Sequence, residues 1–168
     1  HNAVFFIGIS LIGLFFLCLQ YITWAGWSAG VLRAMQALGY YLYPGTVLLV
    51  ILFFYVGHDV FHWLDESLYI EGGANYDPII AGKAWYLDPT FYISRLLIIP
   101  IVWMVFHHFM VKNAALEDQH GGLTYHNKMI RISAAFVVFF GVSSSVVSWD
   151  WIMSIDTHWF STLFGWYV

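Results

Sequence analysis

The densest run of side chains able to do chemistry is Gly57-His58-Asp59-Val60-Phe61-His62-Trp63-Leu64-Asp65. On a helix, residues at i, i+4 and i+7 share one stripe, so this spacing lines up His58, His62 and Asp65, with Asp59 adjoining. An imidazole backed by a carboxylate accepts a proton near neutral pH, and Phe61 and Trp63 would wall an apolar substrate beside it. Asp150, Asp156 and His158 form a second polar group, with Trp149 as a further wall. Ionisable side chains are costly inside a membrane, about 2.5–3.5 kcal/mol for Asp at a helix centre, and therefore face a cavity or a bundle interior. The competing readings are that the first group is a helix end emerging among headgroups, where His, Trp and Asp are simply wetted, and that Asp150 caps a following helix.

Redox metals are hard to place on this chain. Cys18 is the only cysteine, which excludes a cysteine-based zinc site, an intrachain disulfide and an iron–sulfur cluster held by this chain alone. A desaturase-like di-iron site needs several histidine boxes, and His107-His108 has no His three or four residues before it. Two-histidine haem ligation needs imidazoles at one depth. Antiparallel second and third spans would put His58 and His62 on one side and His107 and His108 on the other, while an approach of His158 to His58 or His62 leaves haem open. His107-His108 otherwise reads as interfacial anchoring, and Ser143, Ser144, Ser145 and Ser148 as close helix packing or the lining of a hydrated path. Arg95 must snorkel to the surface or meet a carboxylate.

The elements that must position these groups follow from composition. Of 168 residues, 61% are apolar and 10% charged, against about 25% charged in a soluble domain, so the chain reads as an integral membrane protein. Aromatics make up 21%, with nine Trp, as suits the boundary between hydrocarbon and headgroups. Six Lys plus Arg and a net charge of −4 give no footprint for phosphate backbones, which argues against nucleic acid as a partner. Four stretches approach the roughly 20 apolar residues a spanning helix needs: residues 3–25, about 44–64, 89–111 and 128 to about 149. The fold class is therefore all-α, a polytopic transmembrane helical bundle of about four spanning helices plus interfacial helices, in a single transmembrane domain.

Residues 26–43 read as a short interfacial amphipathic helix with Arg33 and Gln36 on its wet side. Residues 65–88 read as an acidic surface loop, of which 77–83 fold as a plug over a cavity, and Gly121-Gly122 as a turn. Arg33, Lys112, Lys128 and Arg131 gather on one side, with only Lys83 and Arg95 on the other, which assigns the first and third connections to the cytoplasm. Both ends read as those of an internal fragment of a longer membrane protein.

The run Ser148-Trp149-Asp150-Trp151-Ile152-Met153-Ser154-Ile155-Asp156-Thr157-His158-Trp159-Phe160-Ser161-Thr162-Leu163-Phe164-Gly165 resembles the signature of a membrane subunit of alternative complex III, the bacterial quinol:cytochrome c oxidoreductase. Asp77-Pro78-Ile79-Ile80-Ala81-Gly82-Lys83 followed by Tyr86-Leu87, the block from His58 to Trp63, and Ala25-Gly26-Trp27 with Arg33 stand in the order expected of it. The resemblance covers essentially the whole chain. It is nearest to the second of the two large paralogous quinone-binding-type subunits, which are related to polysulfide-reductase membrane anchors.

This resemblance implies a subunit of about ten spans in the bacterial inner membrane, acting on quinol or quinone and holding no haem or metal itself. Electrons would pass to iron–sulfur and c-type haem subunits; these, the paralogous membrane subunit and lipid are the implied partners. On this reading His58, Asp59 and His62 accept the protons of quinol, Asp150 and His158 are further candidates, and Phe61, Trp63 and Trp149 are walls. One alternative is a proton-conducting subunit of the same complex, using Asp59, Asp150 and the serine-lined fourth span without quinol turnover of its own. The other is a scaffold that only docks partners.

Overall fold

The computed structural model describes residues 1–167, and of Trp166 the backbone only. All regular structure among the described residues is helical. The helices are α1 (Asn2–Ile22), α2 (Leu32–Gly39), α3 (Leu42–Val60), α4 (Pro78–Ala81), α5 (Pro89–His120), α6 (Leu123–Trp151) and α7 (Phe164–Tyr167). Short 3-10 helices lie at Gly26–Ser28, His62–Leu64, Glu66–Tyr69 and Met153–Ile155. Four stretches are long and apolar enough to cross a membrane: Asn2–Ile22, Leu32–Val60, Pro89–His120 and Leu123–Ile155. The chain is a multi-pass membrane protein. Phe54, Tyr55, Val138 and Val142 point outward, as hydrocarbon surroundings allow and water would penalise.

The helix ends differ from the ends of the apolar runs. α5 continues past Val111 to His120, because residues 112–120 are rich in Ala, Leu, Glu and Gln, which favour helix whether or not lipid surrounds them. It stops at Gly121 and Gly122, whose φ of +64° and +79° lie in the left-handed region that suits glycine. α6 begins directly after this turn, at Leu123 rather than Lys128. α3 ends earlier than expected, at Val60. Phe61 is extended (φ −106°, ψ 94°), and the following 3-10 turn tucks Trp63 into a buried place beside Phe61 and Tyr92. Burying an aromatic of that size is worth about 1.5–3 kcal/mol, more than one further helical turn.

Contacts gather the described residues into two units, each drawing on α3, α5 and α6: residues 1–48 with 99–142, and residues 49–98 with those from 143 onward. In the first unit α1 packs closely on α2, and a Cβ at Gly13 would lie 3.0 Å from that of Leu38. Leu14, Leu17, Cys18, Trp103, Met110, Met129 and Phe136 are among its buried residues, joined by the stacked rings of Phe15, Phe136 and Phe140.

Two polar expectations change in this unit. Gln36 is buried rather than wet, and its carbonyl pairs with Nε2 of His107 at 2.9 Å. His107 is 1% exposed and no interfacial anchor, whereas its neighbour His108 is exposed. The imidazole lies against Gly39 so closely that any Cβ there would overlap the ring. Tyr43 Oη lies 3.3 Å from Nδ1, so both ring nitrogens have partners and burial costs little. Arg33 does face outward, hydrogen-bonded to Gln36 Oε1 and ion-paired with Asp118.

The second unit is organised on Tyr92, at the start of α5. Its ring stacks on Phe53 with centroids 5.2 Å apart and also meets Phe61 and Trp63. Its hydroxyl donates to the Asp150 carbonyl at 3.0 Å.

Candidate functional site

The two units differ in charge. The first carries Arg33, Lys112, Lys128 and Arg131 against Glu117 and Asp118, a balance of +2. The second carries Lys83 and Arg95 against Asp59, Asp65, Glu66, Glu71, Asp77, Asp88, Asp150 and Asp156, a balance of −6. Both polar groups singled out in the sequence belong to the second unit.

That unit contains a cavity of about 600 Å³ lined by His58, His62, Asp65, Leu68, Asp77, Ile80, Ile155, Asp156, Thr157 and His158. Three elements build it. The end of α3 and the turn after it supply His58 and His62. The helical stripe that was expected to align them stops at Val60, yet the bend at Phe61 still leaves His62 and Asp65 on the cavity that His58 lines. The acidic loop supplies Asp65 and Asp77, and the segment after α6 supplies Asp156, Thr157 and His158.

The loop is folded, not loose. Asp65 Oδ1 accepts the Ser67 amide at 2.9 Å, the Asp77 amide donates to Leu68 O at 3.1 Å, and Tyr69 Oη donates to Trp63 O at 2.9 Å. Asp77 then caps α4: its Oδ1 accepts from the amides of Ile79 and Ile80, with Pro78 in the first turn, where its missing N–H is no loss. The other carboxylate oxygen of Asp77 is 2.6 Å from Nε2 of His158. Burial pushes the Asp77 carboxyl up, but the two amides and His158 together outweigh it and hold it below the usual range. Asp65 is likewise held low, chiefly by the Ser67 amide.

His158 is therefore gripped on one nitrogen only. Among the described residues no hydrogen bond occupies Nδ1, and the side chain is 57% exposed. Nε2–H donating to Asp77 leaves Nδ1 with a lone pair that can take a proton from a hydroxyl, and Asp77 then stabilises the imidazolium that forms.

Asp150 occupies a different environment. Its side chain is 4% exposed, with Oδ2 accepting from Arg95 Nε at 2.7 Å and Oδ1 from Arg95 Nη2 at 3.1 Å and Tyr86 Oη at 2.8 Å. The Arg95 guanidinium lies 4.0 Å from the Tyr86 ring centre and 4.3 Å from that of Phe91, and Nη2 also donates to Tyr86 O. Burial, reinforced by the negative charge of Asp150, raises the Tyr86 phenol well above its ordinary value, so it stays a donor. Arg95 has thus met a carboxylate, and Asp150 holds α6 to the start of α5 instead of lining the cavity.

Of the expected site residues, His58, His62 and His158 share the cavity, whereas Asp59, Asp150, Phe61, Trp63 and Trp149 are not among its lining. Asp59 and Trp149 are exposed, and Phe61 and Trp63 pack around Tyr92. Asp77 was legible only as part of a folded loop. The Asp-Pro pair opening that loop's helix was the available signal, since it marks a capped and therefore fixed carboxylate. Among the described residues, no three His, Cys, Asp or Glu side chains are placed to hold one metal ion.

Four helices long and apolar enough to span mark a multi-pass membrane protein, and the acidic unit holds a cavity lined by three histidines and three aspartates. Compared with known proteins, the chain matches no protein-family model and no curated protein sequence.

Proposed function

We propose that this chain is a membrane subunit of a bacterial quinol:cytochrome c oxidoreductase of the alternative complex III type, and that the cavity receives the protons of quinol. The observation that carries the reading is the His158–Asp77 pair, an imidazole with one nitrogen on a carboxylate and, among the described residues, no hydrogen bond on the other, in the lining of a cavity that two further histidines share. The motif resemblance over 148–165 and 77–87 supplies the family. Quinol loses two electrons and two protons on oxidation. His158 Nδ1 takes one hydroxyl proton while Asp77 steadies the resulting charge, and His58 or His62 takes the other. Leu68, Ile80 and Ile155 supply apolar surface for the ring. The electrons leave to iron–sulfur and c-type haem centres on partner subunits, with the paralogous membrane subunit and lipid completing the surroundings. The positive-inside rule puts the loops bearing Arg33, Lys112, Lys128 and Arg131 on the cytoplasmic side of the inner membrane.

The lining also favours a second reading, because it contains six ionisable side chains and no Phe, Tyr or Trp. In that reading the cavity passes protons and quinol binds elsewhere in the complex. A quinone analogue added to the assembled complex separates the two. Density or chemical protection beside His58 and His158 is expected; an analogue bound only at a distant subunit, with proton release altered by Asp77→Asn, would replace the first reading by the second.

A further inference from the structure

The open nitrogen of His158 is useful only if the ring is aimed, and an exposed side chain on an irregular segment is not aimed by its own backbone. Three contacts do this from outside the ring. Lys83 Nζ donates to the carbonyl of Thr157 at 2.7 Å, and Thr157 is buried. The amide of His158 donates to Asp156 Oδ1 at 3.2 Å, a local turn of the Asx kind. The Thr157 carbonyl and the His158 amide are the two ends of one peptide group, so Lys83 and Asp156 hold the same planar unit from opposite edges. The Cα of His158 lies in that plane and is thereby fixed in place, while the Asp77 bond to Nε2 holds the ring that swings from it. Lys83 also lies in the same folded turn as Asp77: Lys83 N donates to Ile80 O, and Ile80 N to Asp77 Oδ1. One short segment therefore carries a carboxylate for the ring and an ammonium for the peptide before it.

We propose that Lys83 is a positioning residue which, together with Asp156, clamps the Thr157–His158 peptide and so fixes the point from which the His158 imidazole reaches Asp77 and the cavity. This inference rests on the proton-accepting role proposed for His158. A hydrogen-bonded ammonium on a single carbonyl is a point contact that arginine can reproduce in charge and reach, whereas methionine reproduces only the stem. For Asp156 the working group is an acceptor oxygen, which asparagine keeps and alanine lacks.

The experiment is quinol:cytochrome c turnover of the assembled, membrane-extracted complex, measured across pH with subunit content checked for each variant. Lys83→Met and Asp156→Ala are each expected to lower kcat roughly 10- to 100-fold, the scale of a 1 Å misplacement, with KM little changed. Lys83→Arg and Asp156→Asn are expected to restore most of it.

If Lys83→Met does not assemble, the Asp156 pair carries the test by the same criteria. His158→Ala separates the two levels of the argument. Turnover lost in His158→Ala but retained in Lys83→Met and Asp156→Ala, or not restored by the conservative variants, overturns the clamp and leaves the proton acceptor standing. Turnover retained in His158→Ala overturns the proton acceptor, and the clamp with it.

Discussion

Two carboxylate centres in the acidic unit use the same kinds of side chain to opposite ends. At Asp150 both carboxylate oxygens are taken by Arg95 and Tyr86, the cation is covered by the Tyr86 and Phe91 rings, and the backbone carbonyl of Asp150 accepts from both Tyr92 and Ser154. At Asp77 one oxygen is spent on a helix cap and the other on an imidazole whose far nitrogen is open. A carboxylate whose bonds all close on the protein fastens helices together. One that leaves a titratable partner facing a cavity can exchange protons. Burial decides between them: Arg95 is 11% exposed on its side chain and His158 57%.

The largest effects should come from opening the closed centre. Asp150→Ala, or Arg95→Met, leaves its partner's charge buried and unpaired and should cost about 3–5 kcal/mol, read as a lower melting temperature in detergent and loss of assembly. The double change to apolar residues, Arg95→Leu with Asp150→Leu, should cost less than either single change, because no lone charge remains. Gly39→Val sharpens the contrast from the other unit. It forces a side chain into the His107 ring and should destabilise by about 1–3 kcal/mol without touching the cavity. At the open centre, Asp77→Asn and His158→Ala should leave melting near that of the wild type while changing turnover.

The smallest expected effect is on acid stability. The Asp77 carboxyl lies below its ordinary 3.8 in the folded chain, so its contribution is present in full above that pH and is lost as pH falls through the lower, folded value. Unfolding measured between neutral pH and pH 3 should therefore show a steeper acid loss in the wild type than in Asp77→Asn. An identical acid slope in both would remove Asp77 from this account.

Much of this arrangement was legible in the sequence because lipid imposes length and apolarity on a helix, and four runs of that length stood out. The helix ends were less legible, for a physical reason. Hydrophobicity marks where a helix is in lipid, whereas Ala, Glu and Gln in residues 112–120 carry α5 well past that point. The stop of α3 at Val60 depends on where Trp63 finds its aromatic partners, which no local pattern records. His58, His62 and His158 could be named from type and spacing, since ionisable side chains near a span are rare. The fate of Asp150 depended on Arg95, 55 residues away in sequence, so its structural role could not be read locally. The partners of His107 were hidden likewise, because the carbonyl of Gln36 is invisible in a pattern of side chains.

The central claim is that His158 accepts a quinol proton with Asp77 behind it. Its most direct test is quinol:cytochrome c turnover by the assembled complex carrying His158→Ala, at wild-type subunit content. The account predicts a fall of about 10²- to 10⁴-fold, the usual worth of a positioned acid–base group, with quinone-analogue binding retained. Wild-type turnover in a fully assembled His158→Ala complex would contradict it.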